Sequence, residues 1–332
     1  MEARTHLRTR LLRRGLALAL GGLVAVVGAE LAYRWTRVAA LSPTTNPKYV
    51  AHDDELGWKY LPGARERHAS AEFDVEVAIN ARGFRGPEWL IEKRGTRVLV
   101  LGDSFAFGWG VRYEDSFTGR LAAAHTDWEV LGAAVSGYGT DQELLLARKL
   151  VPETKPDVVV CVFCSNDLWE SSSDVAYGKS KPRFVERGAG LELENVPVPD
   201  PWLDRTSTLW RAWKKKRWEH AFEERARDVE AEWRVVLALY RALRDELASD
   251  RMDATGSPGT RAVPLIVVSS EDRLAEFAST TTGVAHVDVR PVLAASREPT
   301  SFPVDGHWNA QGHALVARAL DAAIERALST RR

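Results

Sequence analysis

A serine hydroxyl is a weak nucleophile. It needs a base to take its proton and hydrogen-bond donors to hold the oxyanion that its attack creates. Four places in this sequence offer such parts. The apolar run beginning at Val98 breaks at Gly102 into a turn that presents Ser104, although Gly-Asp-Ser alone also describes an ordinary turn. The stretch Gly132-Ala-Ala-Val-Ser-Gly137-Tyr-Gly139 is rich in glycine, so a backbone N–H there can approach a ligand unobstructed. Asn166, in Cys164-Ser-Asn166-Asp167, can donate a neutral amide hydrogen bond to a developing negative oxygen. Asp305 and His307 stand one residue apart before a C-terminal helix; histidine is the usual base for serine, and a neighbouring carboxylate can orient it.

These residues are distant in sequence, so a fold must gather them. From residue 97 the pattern alternates strand and helix. Strands are expected over 97–101, 128–131, 158–163, 263–268 and 285–289, and helices over 115–125, 140–151, about 271–278 and about 310–327. Thr140-Asp-Gln-Glu143 reads as a capping box and Asn309 as the cap of the last helix. The run 158–163 is almost wholly apolar, as a strand covered on both faces must be. Such alternation specifies an α/β fold, a three-layer α/β/α sandwich around a central parallel sheet, in which ligands meet the carboxyl ends of the strands. The residues with chemical potential fall at those ends.

In this order the four blocks resemble the SGNH hydrolases, also called the GDSL family, named for Ser, Gly, Asn and His. The resemblance rests on Gly102-Asp103-Ser104, Gly137, Asn166-Asp167 and Asp305/His307 and spans most of residues 97–328. It implies an SGNH/flavodoxin-like fold with Ser104 as nucleophile, His307 as base and Asp305 as its orienter. The implied oxyanion hole consists of the Ser104 and Gly137 N–H groups and the Asn166 side chain. Four departures stand out. Phe105 replaces the Leu of the family name, Gly132 stands where Asn is frequent, Cys164 stands where Gly is frequent, and the last block is Asp-x-His rather than the commoner Asp-x-x-His. Asp305 is therefore the triad member least fixed by pattern, and a Ser-His dyad would also be workable. No cofactor is implied. Asp305 and His307 could alternatively be metal ligands, but no third ligand is evident.

The N-terminus speaks to location. Five arginines by position 14 precede the uncharged run Gly15–Ala29, a basic segment followed by an apolar one. Leu31–Trp35 could extend it into a spanning helix with Tyr33 and Trp35 at the headgroups, making residues 1–40 a signal anchor with linker. Cleavage after Val27-Gly-Ala29 would instead release a secreted protein, and Arg13-Arg14 is a faint twin-arginine match. Either way, arginines on the cytoplasmic side send the rest of the chain outside the cytoplasm. Residues 1–44 carry seven arginines against two glutamates, or +5, which leaves −6 on the remainder of a chain whose net charge is −1. That remainder has no electrostatic footprint for nucleic acid. A composition 45% hydrophobic and 27% charged is globular and excludes disorder of the whole chain.

Residues 41–92 form an N-terminal extension, with a linker at Ser42–Pro47, a strand over 73–79 and a glycine-containing loop at 80–86 whose Arg82 or Arg85 either touches substrate or merely leads into the sheet. The catalytic domain is expected over 93–330, with an insertion at about 171–250. There, 171–205 reads as a loop or small β excursion and 207–249 as two helices. The first helix carries Trp210, Trp213 and Trp218 around Lys214–Arg217, either a membrane or polyanion contact or a solvated face with tryptophans packed beneath. Cys161 and Cys164, on one strand and too far apart to bridge, are expected as free thiols. Asp103 and Asp167 are expected to brace loops and His313 to pack or lie on the surface, while Tyr138 and Trp109 either stack on a sugar or belong to the core. The resulting reading is a membrane-anchored esterase outside the cytoplasm acting on a small-molecule or glycan ester. An O-acyltransferase that passes the acyl group to an envelope polysaccharide, and a glycan-binding protein without turnover, are the competing classes.

Overall fold

The computed structural model describes residues 2–39, 49–188, 190–224, 227–248 and 262–330; the linker expected at Ser42–Pro47 lies outside them. The chain opens with a long helix α1 (Glu2–Ala39), then two antiparallel hairpins, β1 (Val50–Asp53) with β2 (Gly57–Tyr60) and β3 (Arg65–Ala69) with β4 (Asp74–Ala78). The alternating part follows: β5 (Thr96–Gly102), α2 (Ser104–Phe107), α3 (Phe117–Ala124), β6 (Trp128–Gly132), α4 (Thr140–Thr154), β7 (Val158–Val162) and α5 (Asp167–Glu170). Two more hairpins come next, β8 (Val175–Ala176) with β9 (Lys179–Ser180) and β10 (Arg183–Arg187) with β11 (Gly190–Glu194). Helices α6 (Trp202–Thr206), α7 (Thr208–Glu224) and α8 (Val229–Ala248) lead to β12 (Leu265–Ser269), α9 (Asp272–Thr280), β13 (Val284–Asp288), α10 (Arg290–Ala294) and α11 (Ala310–Ser329).

Strands β13, β12, β7, β5 and β6 pair in that order, all parallel, into one five-stranded sheet. Read from the other edge this is the 2-1-3-4-5 order of flavodoxin-like folds. Every residue of Val158–Val162 and Leu265–Ser269 is buried, which is why these strands carry almost no polar residue. Helices flank the sheet in two layers, α3 packing on α11 and α4 on α8. Trp233, Val236, Tyr240, Leu243 and Leu247 form the buried face of α8 at three- and four-residue spacing, and that helix closes the crossover from β7 to β12.

The caps differ from expectation in one place. Asn309 Oδ1 accepts from the N–H groups of Gln311 and Gly312 at 3.0 and 3.1 Å, as an N-cap should. At α4 the cap is Gly139 rather than Thr140: Gln142 Oε1 accepts from the Gly139 N–H at 3.2 Å, so only the return half of a box is made, one residue earlier, and glycine supplies no side-chain acceptor. A single 3-10 turn at Tyr113–Asp115 precedes α3, where a longer helix was expected.

The hairpins before the sheet share its core. Tyr49, Trp58, Tyr60 and Val77 are buried in one apolar cluster with Val98–Leu101. Within α1, Arg13–Thr36 is long and apolar enough to cross a membrane, and none of its most apolar window is buried within the protein.

Candidate active site

The site begins where β5 ends. Asp103 caps α2, its Oδ1 accepting from the Phe105 N–H at 2.9 Å, and this turn leaves Ser104 at the carboxyl edge of the sheet. The turn is braced from behind. Arg85, buried, donates to the carbonyls of Phe107 at 3.0 Å, Gly108 at 2.5 Å and Val111 at 2.6 Å. Burial lowers its guanidinium to about 10 and leaves it cationic. Arg85 therefore holds the serine loop instead of facing a ligand. Arg82 also turns away, pairing with Glu153 and lying over Trp89.

His307 comes from the loop before α11. Its Nε2 lies 2.7 Å from Ser104 Oγ, and its Nδ1 lies 2.5 Å from Asp305 Oδ1. An ionised carboxylate can only accept, so Nδ1 carries the ring proton and Nε2 is free to accept from the serine hydroxyl. Burial pushes the Asp305 carboxyl up, but the hydrogen bond and charge of His307, the His307 N–H and the Trp109 indole together outweigh it and leave the pKa below the usual carboxylate value. The Asp-x-His spacing thus brings the acid onto Nδ1.

The Asp305 loop has an anchor that no local pattern marks. Glu72, in the turn between β3 and β4, accepts from the N–H groups of Val304 and Asp305 at 2.9 and 2.8 Å, across more than 230 residues of sequence. Such a contact is legible only once the hairpin is docked on the sheet. Phe105 covers the other side of the imidazole, its ring centroid 4.7 Å from that of His307.

The glycine loop and Asn166 approach Ser104 from the neighbouring strands β6 and β7. Gly137 has φ of +80°, and a Cβ there would come within 2.9 Å of the Tyr177 ring, so the position favours glycine on both counts. The N-terminal hairpin fixes this loop: the Ser136 N–H donates to Tyr60 Oη at 2.7 Å, the Trp58 indole donates to the Ser136 carbonyl at 3.2 Å, and Tyr138 Oη donates to the Trp58 carbonyl. Asn166 Nδ2 donates to Glu170 Oε2 at 3.1 Å and to Asp103 Oδ2 at 3.3 Å.

Behind Asn166 lies a set of acids whose burial the sequence does not signal. Asp103, Glu143, Asp167 and Glu170 are all at most 1% exposed. Burial, reinforced by their mutual charge, raises Glu143 and Asp167 well above the ordinary carboxylate value and lifts Glu170 to about 8. Burial raises Asp103 as well. Asp141, just beside them, is paired with the fully buried Lys181, whose ammonium also donates to the carbonyls of Glu170, Ser173 and Pro182.

Other candidates take structural places. Asp167 accepts from the Cys164 N–H at 2.9 Å, and Asp103 joins the first and third blocks, so both brace loops. His313 is buried, stacked on Phe117 and accepting from the Phe117 N–H at 3.3 Å; burial lowers its imidazole to about 3. Tyr138 belongs to the core, and Trp109 sits beside His307 at a ring distance of 6.0 Å. Cys161 and Cys164 are free thiols. Among the described residues, the grouping with the spacing of a metal site is His125, Asp321 and Glu325, which includes neither Asp305 nor His307.

A flavodoxin-like sandwich with these groups gathered at the carboxyl ends of its strands is the build of an ester-hydrolysing enzyme. Residues 100–315 match the family model of the GDSL-like lipase/acylhydrolases, and the chain belongs to that family. Among solved structures it is similar to the lipase Lip_vut3 from a goat rumen metagenome, at 16% identity, a TM-score of 0.39 and coverage of 69% of this chain and 97% of that one. It is also similar to TesA, at 13% identity, a TM-score of 0.41 and coverage of 70% and 99%. A third is a two-domain esterase active on acetylated mannans, at 14% identity, a TM-score of 0.40 and coverage of 71% of this chain and 50% of that one. No curated protein matches the sequence.

Proposed function

We propose that this chain is a membrane-anchored serine esterase that cleaves carboxylic esters outside the cytoplasm, on acylated glycans or lipids of the cell envelope, through an acyl-enzyme on Ser104. The observation that carries the reading is the hydrogen-bond line from Ser104 Oγ through His307, 2.7 Å at one ring nitrogen, to Asp305, 2.5 Å at the other. In the proposed reaction Ser104 Oγ bonds to the ester carbonyl carbon as its proton passes to His307 Nε2, and Asp305 holds the resulting imidazolium. The carbonyl oxygen becomes an oxyanion facing the Ser104 and Gly137 N–H groups and the Asn166 amide. Both Nδ2 hydrogens of Asn166 are engaged at rest. The longer bond, 3.3 Å to Asp103 beside Ser104, is the one an oxyanion would take over. Collapse breaks the C–O bond, His307 returns its proton to the departing alcohol, and water then attacks the acyl-enzyme by the same route.

In this reading residues 1–40 anchor the protein, 41–92 form an extension that holds the glycine loop and the Asp305 loop, and 93–330 form the catalytic domain with added segments within 171–250. The N-terminal arginines keep that end cytoplasmic, which places the site on the outer side.

A panel of chromogenic esters of increasing acyl length, run on the purified chain with and without an oligosaccharide acceptor, tests the function. Hydrolysis by the wild type, lost in Ser104→Ala, with free acid as product even when acceptor is present, is expected. Acyl-oligosaccharide as the main product would replace the esterase with an acyltransferase.

A further inference from the structure

The helix that could cross a membrane does not simply tether the catalytic domain, because its outer end is built into it. Glu30 stands at the end of the uncharged run, and its carboxylate accepts from Ser207 Oγ at 2.8 Å and from the N–H groups of Thr208 and Leu209 at 2.7 and 2.9 Å. It thereby caps the start of α7 from another part of the chain. One turn further along α1, Arg34 bonds Glu30 at 2.7 Å and donates to the Thr206 carbonyl, the last residue of α6, at 2.6 Å. The α6–α7 junction is thus fixed where the apolar run of α1 meets polar residues.

Both helices at that junction leave large apolar side chains in the open. Trp202 is 64% and Leu203 36% exposed on α6; Leu209 is 36% and Trp213 48% exposed on α7. On α7 the open positions are Leu209, Trp213, Lys216, Arg217, His220, Ala221, Glu223 and Glu224; the face that starts at Leu209 is apolar at the α1 end, basic at Lys216 and Arg217, and acidic at its far end, away from α1. The rest of the basic run is accounted for, Lys214 pairing with Asp204 at 2.6 Å and Lys215 with Glu219 at 3.6 Å. Trp35 of α1 is 74% exposed beside the same junction. Exposed tryptophans with adjoining arginine and lysine are the side chains that settle at a headgroup layer.

We infer that the face formed by Trp202, Leu203, Leu209 and Trp213 lies in the lipid headgroup layer of the membrane that α1 crosses, so that the catalytic domain rests on the bilayer instead of swinging from it. The inference rests on the anchored reading above. The occupant is a bilayer because the exposed tryptophans and leucines continue directly from the outer end of the spanning segment, with Lys216 and Arg217 the next exposed side chains along α7. Its far side touches the site: Trp218 and Phe222 of α7 pack on Trp169 at ring distances of 5.3 and 4.6 Å, one turn after Asn166. Tyr177, in contact with Trp218 at 5.6 Å, closes against Gly137. Of the two expectations for the tryptophans of α7, Trp218 is packed beneath and Trp213 is the contact residue.

The test uses the full chain in nanodiscs of phosphatidylcholine and phosphatidylglycerol, with an environment-sensitive fluorophore on a cysteine introduced at one position at a time. The positions are Trp202→Cys, Trp213→Cys, Leu23→Cys within the span and Ile91→Cys as an exposed reference, with the parent chain treated identically to give background from its own thiols. Ester hydrolysis by each labelled protein reports folding. Labels at 202 and 213 are expected to shift to the blue and to lose intensity with a headgroup-linked nitroxide lipid, the label at 23 to be quenched by lipid brominated in mid-chain, and the label at 91 to stay aqueous. A label at 23 deep in the bilayer with 202 and 213 as aqueous as 91 would overturn the docking while leaving the anchor standing. A label at 23 in water would overturn the anchor and, with it, the docking.

Discussion

The carboxyls around the Ser104 site, Asp305 behind His307 and Asp103 and Glu170 behind Asn166, have pKa values shifted in opposite directions. Asp305 has a side chain 22% exposed and is held below the ordinary carboxylate pKa by His307 and Trp109 despite its burial. Asp103 and Glu170 are fully buried, and burial pushes both up, Glu170 to about 8. The contrast follows the charge each side must meet in the proposed reaction. An imidazolium forms beside Asp305, and an anion stabilises it. An oxyanion forms beside Asn166, and burial works against negative charge on the carboxyls next to it, Glu170 most of all. Glu170, protonated below about 8, can still accept an Asn166 amide proton and help fix its orientation. Burial on one side and the hydrogen bonds and charge of His307 on the other thus shift carboxyls of the same site in opposite directions.

Removing the anion from the Asp305 side has the largest expected effect. Asp305→Asn keeps the shape but can hold His307 in the wrong tautomer, and kcat is expected to fall by about 10⁴-fold. Steady-state kinetics on a short-chain ester measures this; a loss of only a few-fold would mean that His307 works as a dyad partner of Ser104. On the other side, Asn166→Ala removes a donor and leaves the two acids without their partner. A fall in kcat of about 10²–10³ with KM little changed is expected, since the donor matters most in the transition state.

Glu170→Gln has the smallest expected effect on rate. Glutamine mimics the protonated acid, so activity near neutral pH should stay close to wild type. Stability is where the two proteins part. A carboxyl raised from 4.5 to about 8 in the folded state binds more protons there than in the unfolded chain between those values. Stability from this group is therefore present at low pH and is lost as pH rises through that window. Thermal unfolding between pH 5 and pH 8 should show a falling Tm in the wild type and a shallower fall in Glu170→Gln. Identical slopes would show that Glu170 is ionised throughout.

Much of this arrangement was legible in the sequence. The strands at 97–101 and 158–163 and the cap at Asn309 follow from local patterns of burial and turn chemistry, and the structure places them within a residue or two of the expected bounds. The four blocks were legible because each is a short motif. What surrounds them was not. Glu72 meets the Asp305 loop only through tertiary packing, and the full burial of Asp103, Glu143, Asp167 and Glu170 has no local pattern to mark it. Arg85 shows the same limit from the other direction: a charged residue in a glycine-containing loop can serve a ligand or a carbonyl cluster, and only the docked loop decides between them.

Covalent acylation of Ser104 Oγ is tested directly by a fluorophosphonate, which phosphonylates an activated serine by the same attack. Intact-mass spectrometry of the wild type after treatment should show one adduct, mapped by peptide sequencing to Ser104, and Ser104→Ala should remain unmodified. Equal labelling of Ser104→Ala, or an adduct on another residue, would contradict Ser104 as the nucleophile.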